Sequence, residues 1–209
     1  GYKLEYLVTS GLTIQKDEWQ ADRFQGRVIF PIHNVSGRTR AFGARILKTD
    51  KNQPKYLNSP ETPVFHKGRE LYGLYEARQS LKEIPCLIMV EGYMDVIALS
   101  EAGFTAAVAP LGTAVTEDQL RLMWRISDEP IIALDGDTAG IRAALRVIDL
   151  ALPLLEAGKG LRFAVMPAGL DPDDLIKSKG AAAMKTVLEE AQPMVRLLWQ
   201  RETEGRVFD

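Results

Sequence analysis

From residue 86 onward the chain repeats one pattern, a short apolar run followed by an amphipathic stretch of helical period. The runs span residues 86–90, 106–109, 131–134 and 161–166. Between them the spacing predicts helices over 94–102, from the capping box Thr116-Glu117-Asp118-Gln119 to about Arg125, and over 138–156, ended by Gly158. Unbroken apolar runs suit strands covered on both faces, so the succession specifies an α/β fold, a parallel sheet flanked by helices. Right-handed crossovers bring the carboxyl ends of such strands to one edge, where ligands bind in open α/β sheets. From Leu175 onward the pattern is helical, and no repeat or low-complexity segment interrupts it.

The first 84 residues read differently. Apolar runs over 28–32 and 41–47 flank the turn-rich Asn34-Val35-Ser36-Gly37, a hairpin signature, and Pro31 favours an edge or a bulge. Residues 48–67 show no sustained periodicity and form the most irregular segment, a loop of the length that usually serves function or mobility. The charge is also divided. Residues 1–84 carry 14 Lys and Arg against 9 Asp and Glu, a net +5, whereas residues 85–209 carry 12 against 19, a net −7. These shifts divide the chain into a basic N-terminal subdomain over 1–84, a parallel-sheet domain over 85–175 and a helical segment over 176–209.

The overall charge of −2 excludes a uniformly basic nucleic-acid binder but leaves room for a basic face. Cys86 is the single cysteine and His33 and His66 the two histidines, so neither an internal disulfide nor a Cys-rich structural zinc site is available. No apolar run approaches the length of a membrane span, and residues 1–20 lack a signal peptide's apolar segment, which gives a cytoplasmic reading. The chain opens without Met and stops just after a helical pattern at Arg206-Val207-Phe208-Asp209, as a piece of something longer would.

Three acidic groups fall at the expected carboxyl edge: Glu91 after the first strand, Asp135-Gly136-Asp137 after the third, and Asp171-Pro172-Asp173-Asp174 after the last. Positions i and i+2 of an extended stretch share a side, so Asp135 and Asp137 are close enough to repel. Mg²⁺ or Mn²⁺, hard ions that take oxygen ligands and keep several waters, would relieve that repulsion. Gly136 is expected to clear space for a phosphate, and the helix dipole near Thr138 favours anions. Each acid also has an ordinary reading. Asp171 before Pro172 is a good N-cap, Asp173 and Asp174 are first-turn acids, Asp137 can cap its own helix, and Asp95 suits a dipole-matching surface position. Glu91, at the mouth of a buried strand, has few such explanations, and convergence of the whole set on one edge points to a metal site.

The words Val90-Glu91-Gly92-Tyr93-Met94-Asp95-Val96, Leu111-Gly112-Thr113-Ala114 and Leu134-Asp135-Gly136-Asp137-Thr138-Ala139-Gly140 resemble the Toprim domain of DnaG-type primases, type IA and II topoisomerases and some nucleases. Upstream words select among these. Arg23-Phe24, the run Arg27 to Ile32, Ala41 to Arg45, Pro54-Lys55-Tyr56-Leu57-Asn58-Ser59-Pro60-Glu61-Thr62, Phe65-His66-Lys67-Gly68-Arg69 and Leu71-Tyr72-Gly73-Leu74 are similar to the bacterial replicative primases, over roughly residues 22 to 177. Gln25, where many relatives carry Arg, and Gly43-Ala44, where Gly-Gly is commoner, depart from the pattern.

The resemblance implies a Toprim domain, a Rossmann-like parallel sheet with flanking helices, joined to a partial N-terminal α+β subdomain and the start of a helical one. It implies synthesis of short RNA primers on single-stranded DNA from ribonucleoside triphosphates, leaving an RNA–DNA hybrid. Glu91, Asp135 and Asp137 match the family's catalytic metal ligands, with Asp171 and Asp173 holding a further ion, so two or more Mg²⁺ or Mn²⁺ ions and no zinc are expected here. Gly92, Tyr93, Asp95 and Gly136 match supporting signature positions. Arg23, Arg27, Lys55, Asn58, Lys67 and Arg69 match template- or nucleotide-contacting positions. The zinc module is absent, the domain that binds the replicative helicase would lie beyond Asp209, and the piece alone is expected to be weakly active or inactive. The competing readings are a Toprim topoisomerase or nuclease, and a non-catalytic scaffold that would commonly have lost its acids.

Among the remaining residues, Lys48, Lys51 and Lys82 read as solvated surface, and Tyr56 as either a base-stacking ring or one packed on its own domain. His33 and His66 read as loop hydrogen-bonders, Cys86 as inert core, and Trp124 and Trp199 as packing.

Overall fold

The computed structural model describes residues 1–16, 19–48, 52–80 and 86–204. Lys51, Lys82, the junction after residue 84 and the last five residues lie outside that set. A short helix α1 (Leu4–Thr9) leads into the antiparallel pair β1 (Thr13–Lys16) and β2 (Trp19–Asp22). The expected hairpin follows as β3 (Arg27–His33) and β4 (Thr39–Ile46), antiparallel, with Ile29 opposite Ala44. Pro31 pairs with Phe42 on β3, which is an edge strand, so its missing N–H costs the sheet nothing on the open side. A register shift falls between Ile32 and His33.

The irregular segment contains order that its sequence does not announce. Tyr56–Asn58 forms β5 on the far side of β4, with Gly43 opposite Asn58. Three residues are too few for an alternation to register as a strand. Helix α2 (Leu74–Ser80) then leads to the larger sheet.

That sheet is built from β6 (Ile88–Met89), helix α3 (Tyr93–Glu101), β7 (Ala107–Val108), helix α4 (Glu117–Trp124), β8 (Ile131–Leu134), helix α5 (Thr138–Ala151), β9 (Arg162–Val165), helix α6 (Pro172–Glu189), β10 (Gln192–Pro193) and helix α7 (Met194–Thr203). Its strand order is β10-β9-β8-β6-β7, and β7, β6, β8 and β9 run parallel. Alternate strand residues serve opposite faces. Met89, Val108, Ile132, Leu134 and Phe163 pack with Leu74 of α2, Met123 of α4, Val147 and Ile148 of α5 and Met194 of α7. Ile88, Val90, Ala107, Ile131, Ala133 and Ala164 pack on the other side with Val96 and Leu99 of α3 and Met184 and Leu188 of α6. Two covered faces explain why the runs are apolar without alternation.

Three expectations need correction. The C-terminal segment is not wholly helical, because Gln192 and Pro193 pair antiparallel with Phe163 and Arg162. Helix α5 stops at Ala151, where Leu152–Leu154 tightens to a 3₁₀ turn around Pro153, which has no N–H to continue the ladder. Trp199 is 65% exposed and so is not a core residue, whereas Trp124 is buried and its indole donates to the Gly160 carbonyl. Gly180, at φ +81°, breaks α6 into two helical pieces.

The capping box of α4 forms as expected, with Thr116 and Gln119 reciprocally bonded. His33 bonds Glu76 at 2.8 Å and His66 bonds Glu61 at 2.9 Å. Cys86 is half-buried, and burial pushes its thiol pKa up, which disfavours the reactive thiolate. Lys48 is exposed.

Candidate active site

The carboxyl ends of the parallel strands carry the acids to one rim. Glu91 is exposed two residues beyond β6, and Asp135, half-buried, directly follows β8. Asp137 is the N-cap of α5, its Oδ1 accepting the Gly140 N–H at 2.7 Å. Asp171 caps α6 by accepting the Asp174 N–H at 2.7 Å, and Pro172 stands in the first turn. Asp173, whose side chain is 17% exposed, pairs with Lys177 at 2.6 Å. Capping is therefore real at Asp137 and Asp171, and each cap leaves a second carboxylate oxygen for other work.

Asp95 departs from its surface reading. It is 8% exposed, and its carboxylate accepts N–H groups from Gly92 at 3.1 Å and from Asp173 at 3.4 Å. One buried carboxylate thereby links the start of α3 to the start of α6. Its place three residues after the Gly92 cap is the sequence signal for the first of those bonds.

The electrostatics record the crowding. Burial, then the charges of Glu91, Asp95, Asp171 and Asp137, push the Asp135 pKa up to about 7. Burial and then Asp171 raise Asp95 to about 6, against the lowering effect of its two backbone donors. Asp135 Oδ1 is also buried without a hydrogen-bond partner. An acceptor that is dry, unsatisfied and surrounded by like charge is costly unless a cation meets it.

The residues fit a hard, hydrated cation. Among the described residues no group of three or more His, Cys, Asp or Glu side chains is gathered tightly enough to cage an ion by itself. Mg²⁺ takes one or two carboxylates and fills its remaining positions with water and substrate phosphates, which suits the oxygen donors here and the unpartnered Asp135 Oδ1.

Gly136 has a different reason from the one its sequence suggests. A Cβ there would stand 2.0 Å from the Pro167 carbonyl oxygen, so its missing side chain admits the 166–170 loop rather than a phosphate. The loop is tied down by Gly136 N–H to Leu170 O at 3.0 Å and Gly169 N–H to Gly136 O at 2.9 Å. A Cβ at Gly140 would lie 2.2 Å from the Asp135 carbonyl oxygen, so a second bare position seats α5 against the acid-bearing turn. Together these contacts hold the loop before Asp171 close to Asp135.

The residues matched to template contact divide into two kinds. Arg27 spends its guanidinium on the Pro54 carbonyl at 2.8 Å and on Gln53, Arg69 pairs with Asp118 at 3.0 Å, and Asn58 donates to the Leu111 carbonyl at 2.7 Å. Lys55 is exposed, its ammonium 5.6 Å from the Tyr56 ring centre, and Lys67 lies beside Glu61. Arg23 is half-buried, and its Nε has no hydrogen-bond partner. Tyr56 packs across the domain boundary rather than on its own domain, 6.3 Å from the Tyr93 ring of α3, while staying 37% exposed.

One residue at the rim escaped the sequence reading. A cavity of about 400 Å³ beside Glu91 is lined on one wall by Arg146 of α5. An exposed arginine on an amphipathic helix has no sequence signal that separates it from solvated surface.

This geometry has counterparts. Residues 1–78 match the DNA primase catalytic core, N-terminal domain, and residues 86–165 the Toprim domain. The DNA primase of Pseudomonas aeruginosa is 46% identical over 202 residues, which cover 95% of this chain and 30% of that protein. Among solved structures, a DnaG primase catalytic domain bound to ssDNA superposes with a TM-score of 0.89 at 44% identity, covering 98% of this chain and 63% of that one. The RNA polymerase domain of Mycobacterium tuberculosis primase DnaG gives 0.87 at 34% identity, covering 98% and 68%. The chain thus spans about a third of the length of the curated relatives it matches. Toprim primases depend on a divalent metal, generally Mg²⁺. A Toprim sheet alone would leave topoisomerases and nucleases open, but the matched N-terminal region and the relatives on both sides of residue 84 do not, and the chain belongs to the bacterial DnaG-type DNA primases.

Proposed function

We propose that this chain supplies the metal-binding and part of the template-binding surface of a primase that makes short RNA primers on single-stranded DNA. The observation that carries the reading is the convergence of Glu91, Asp95, Asp135, Asp137 and Asp171 on one rim, where burial first and then the charges of these neighbours push the Asp135 pKa up to about 7. A domain with this fold has been solved bound to ssDNA, which supports the choice of template.

Glu91, Asp135 and Asp137 would hold two or more Mg²⁺ or Mn²⁺ ions, with Asp171 and Asp173 near a further one. When bound, such ions supply Lewis acidity to the primer 3′-hydroxyl and neutralise charge on the triphosphate. The chain's own contribution is positional. Gly136 and Gly140 lock the Asp135 turn, and Asp95 ties the start of α3 to the start of α6, so that the acid-bearing turns keep their places on one rim. Lys55, Lys67 and Arg23 of the basic N-terminal subdomain would bind the template backbone. Ribonucleoside triphosphates as substrates, an RNA–DNA hybrid as product and a helicase contact through a further domain complete the reading. No helix among the described residues is long and apolar enough to cross a membrane.

The test is primer synthesis by a polypeptide carrying the complete catalytic core. Glu91→Ala and Asp135→Ala should each abolish ribonucleotide incorporation on a single-stranded template with folding retained. Incorporation at the wild-type rate in either variant refutes the reading, and cleavage of plasmid DNA by the wild type would favour a nuclease instead.

A further inference from the structure

The cavity beside Glu91 lies between α5 and the turn at 112–115 and encloses about 400 Å³. Met89, Leu134, Ala143 and Val147 make its walls apolar. The two charged residues lining it, Glu91 and Arg146, are both exposed to solvent. Arg146 makes no hydrogen bond or ion pair with any described residue, so its guanidinium is available to a ligand.

We propose that this cavity binds a nucleoside 5′-monophosphate, with the base in the apolar slot and the phosphate on Arg146. The volume falls within the range of small-molecule sites, in which apolar walls hold a ring and a few polar groups orient it. A guanidinium grips a phosphate through two parallel N–H donors. One cation balances little more than one phosphate, and Glu91, which lines the same cavity, would repel added ones. Without divalent cations the site should therefore rank monophosphate above diphosphate above triphosphate, the reverse of what a polymerase substrate site requires. That the aromatic anion is a nucleotide rests on the function proposed above, whereas the preference for a singly phosphorylated ring rests on the cavity alone.

The test is a titration of the chain with AMP in EDTA, followed by amide chemical shifts. The expected result is saturable shifts around Gly112, Ala143 and Val147. Affinity for AMP should exceed that for ATP, adenosine or inorganic phosphate by about ten-fold or more. Arg146→Gln should weaken AMP binding by about ten-fold, and Ala143→Leu, which fills the slot, should remove it. Arg146 is exposed, so its variant keeps the test decisive even if Ala143→Leu does not fold. Three outcomes would each overturn the proposal: no saturable shift up to about 10 mM AMP, binding matched by phosphate alone, or affinity unchanged in Arg146→Gln. Primer synthesis by the longer polypeptide is scored separately. Synthesis without AMP binding sinks only the cavity assignment, and AMP binding without synthesis sinks only the primase reading.

Discussion

The Tyr93 hydroxyl donates to Asn58 Oδ1, joining the first turn of α3 to β5 of the small antiparallel sheet. Asn58 Nδ2 donates onward to the Leu111 carbonyl, and the Tyr93 ring lies so close to Gly43 that a Cβ there would meet it at 2.7 Å. Burial pushes the Tyr93 phenol up, so it stays a donor at neutral pH. The Asn58 amide thus helps to fasten the primase-specific N-terminal region to the Toprim sheet, alongside Gln119, which donates to the Lys67 and Glu70 carbonyls. Asn58→Ala strands the Tyr93 hydroxyl and the Leu111 carbonyl in a part-buried seam, at an expected cost of about 1–3 kcal/mol. Urea unfolding measures it, and a variant within about 0.5 kcal/mol of wild type would contradict the role.

Gly136→Ala should be more damaging than a surface alanine has any right to be. The added methyl must displace the Pro167 carbonyl, and relief means moving the 166–170 loop that sets Asp171. A stability loss of about 1–3 kcal/mol or more is expected, together with weakened divalent-ion binding. An unchanged thermal midpoint would show that the loop yields freely.

Much of this was legible beforehand, and the exceptions share a cause. The alternation of apolar runs and amphipathic stretches specified the parallel sheet because both faces of each strand are covered, and Thr116-Glu117-Asp118-Gln119 marked the start of α4 because a capping box is local. Contacts between residues far apart in sequence were not readable. Asp95 looked like a surface acid until Asp173 was seen to donate to it across 78 positions, and Gly136 looked like a phosphate seat until the Pro167 carbonyl was placed against it. Strand β10 was hidden by its two-residue length.

The folded-state pKa values of Asp135, about 7, and Asp95, about 6, lie above their ordinary value of 3.8. A carboxyl raised by folding binds more protons in the folded chain, so its contribution is fully present below the unfolded pKa and is lost as pH rises through the folded one. The metal-free chain should therefore lose stability from about pH 4 to about pH 7. Asp135→Asn should flatten that loss and be the more stable protein in EDTA at about pH 8. Adding Mg²⁺ at that pH should raise the wild-type thermal midpoint more than the variant's. A variant no more stable than wild type in EDTA would contradict the crowding.

Lys55 and Arg27 should behave oppositely despite their equal charge. Lys55 is exposed, so Lys55→Ala should leave stability intact and lower the salt slope of single-stranded DNA binding by about one unit. Arg27 is bonded to Pro54 and Gln53, so Arg27→Ala should cost about 1 kcal/mol of stability. Salt-dependent binding isotherms and unfolding curves for the two variants check this, and an unchanged slope for Lys55→Ala removes that residue from the template path.

The most direct measurement of the central claim is anomalous diffraction from crystals of the chain soaked in Mn²⁺. Peaks within coordination distance of the Glu91, Asp135 and Asp137 carboxylates are predicted, with Asp135 Oδ1 among the ligands. A rim that stays empty at saturating Mn²⁺ would contradict it.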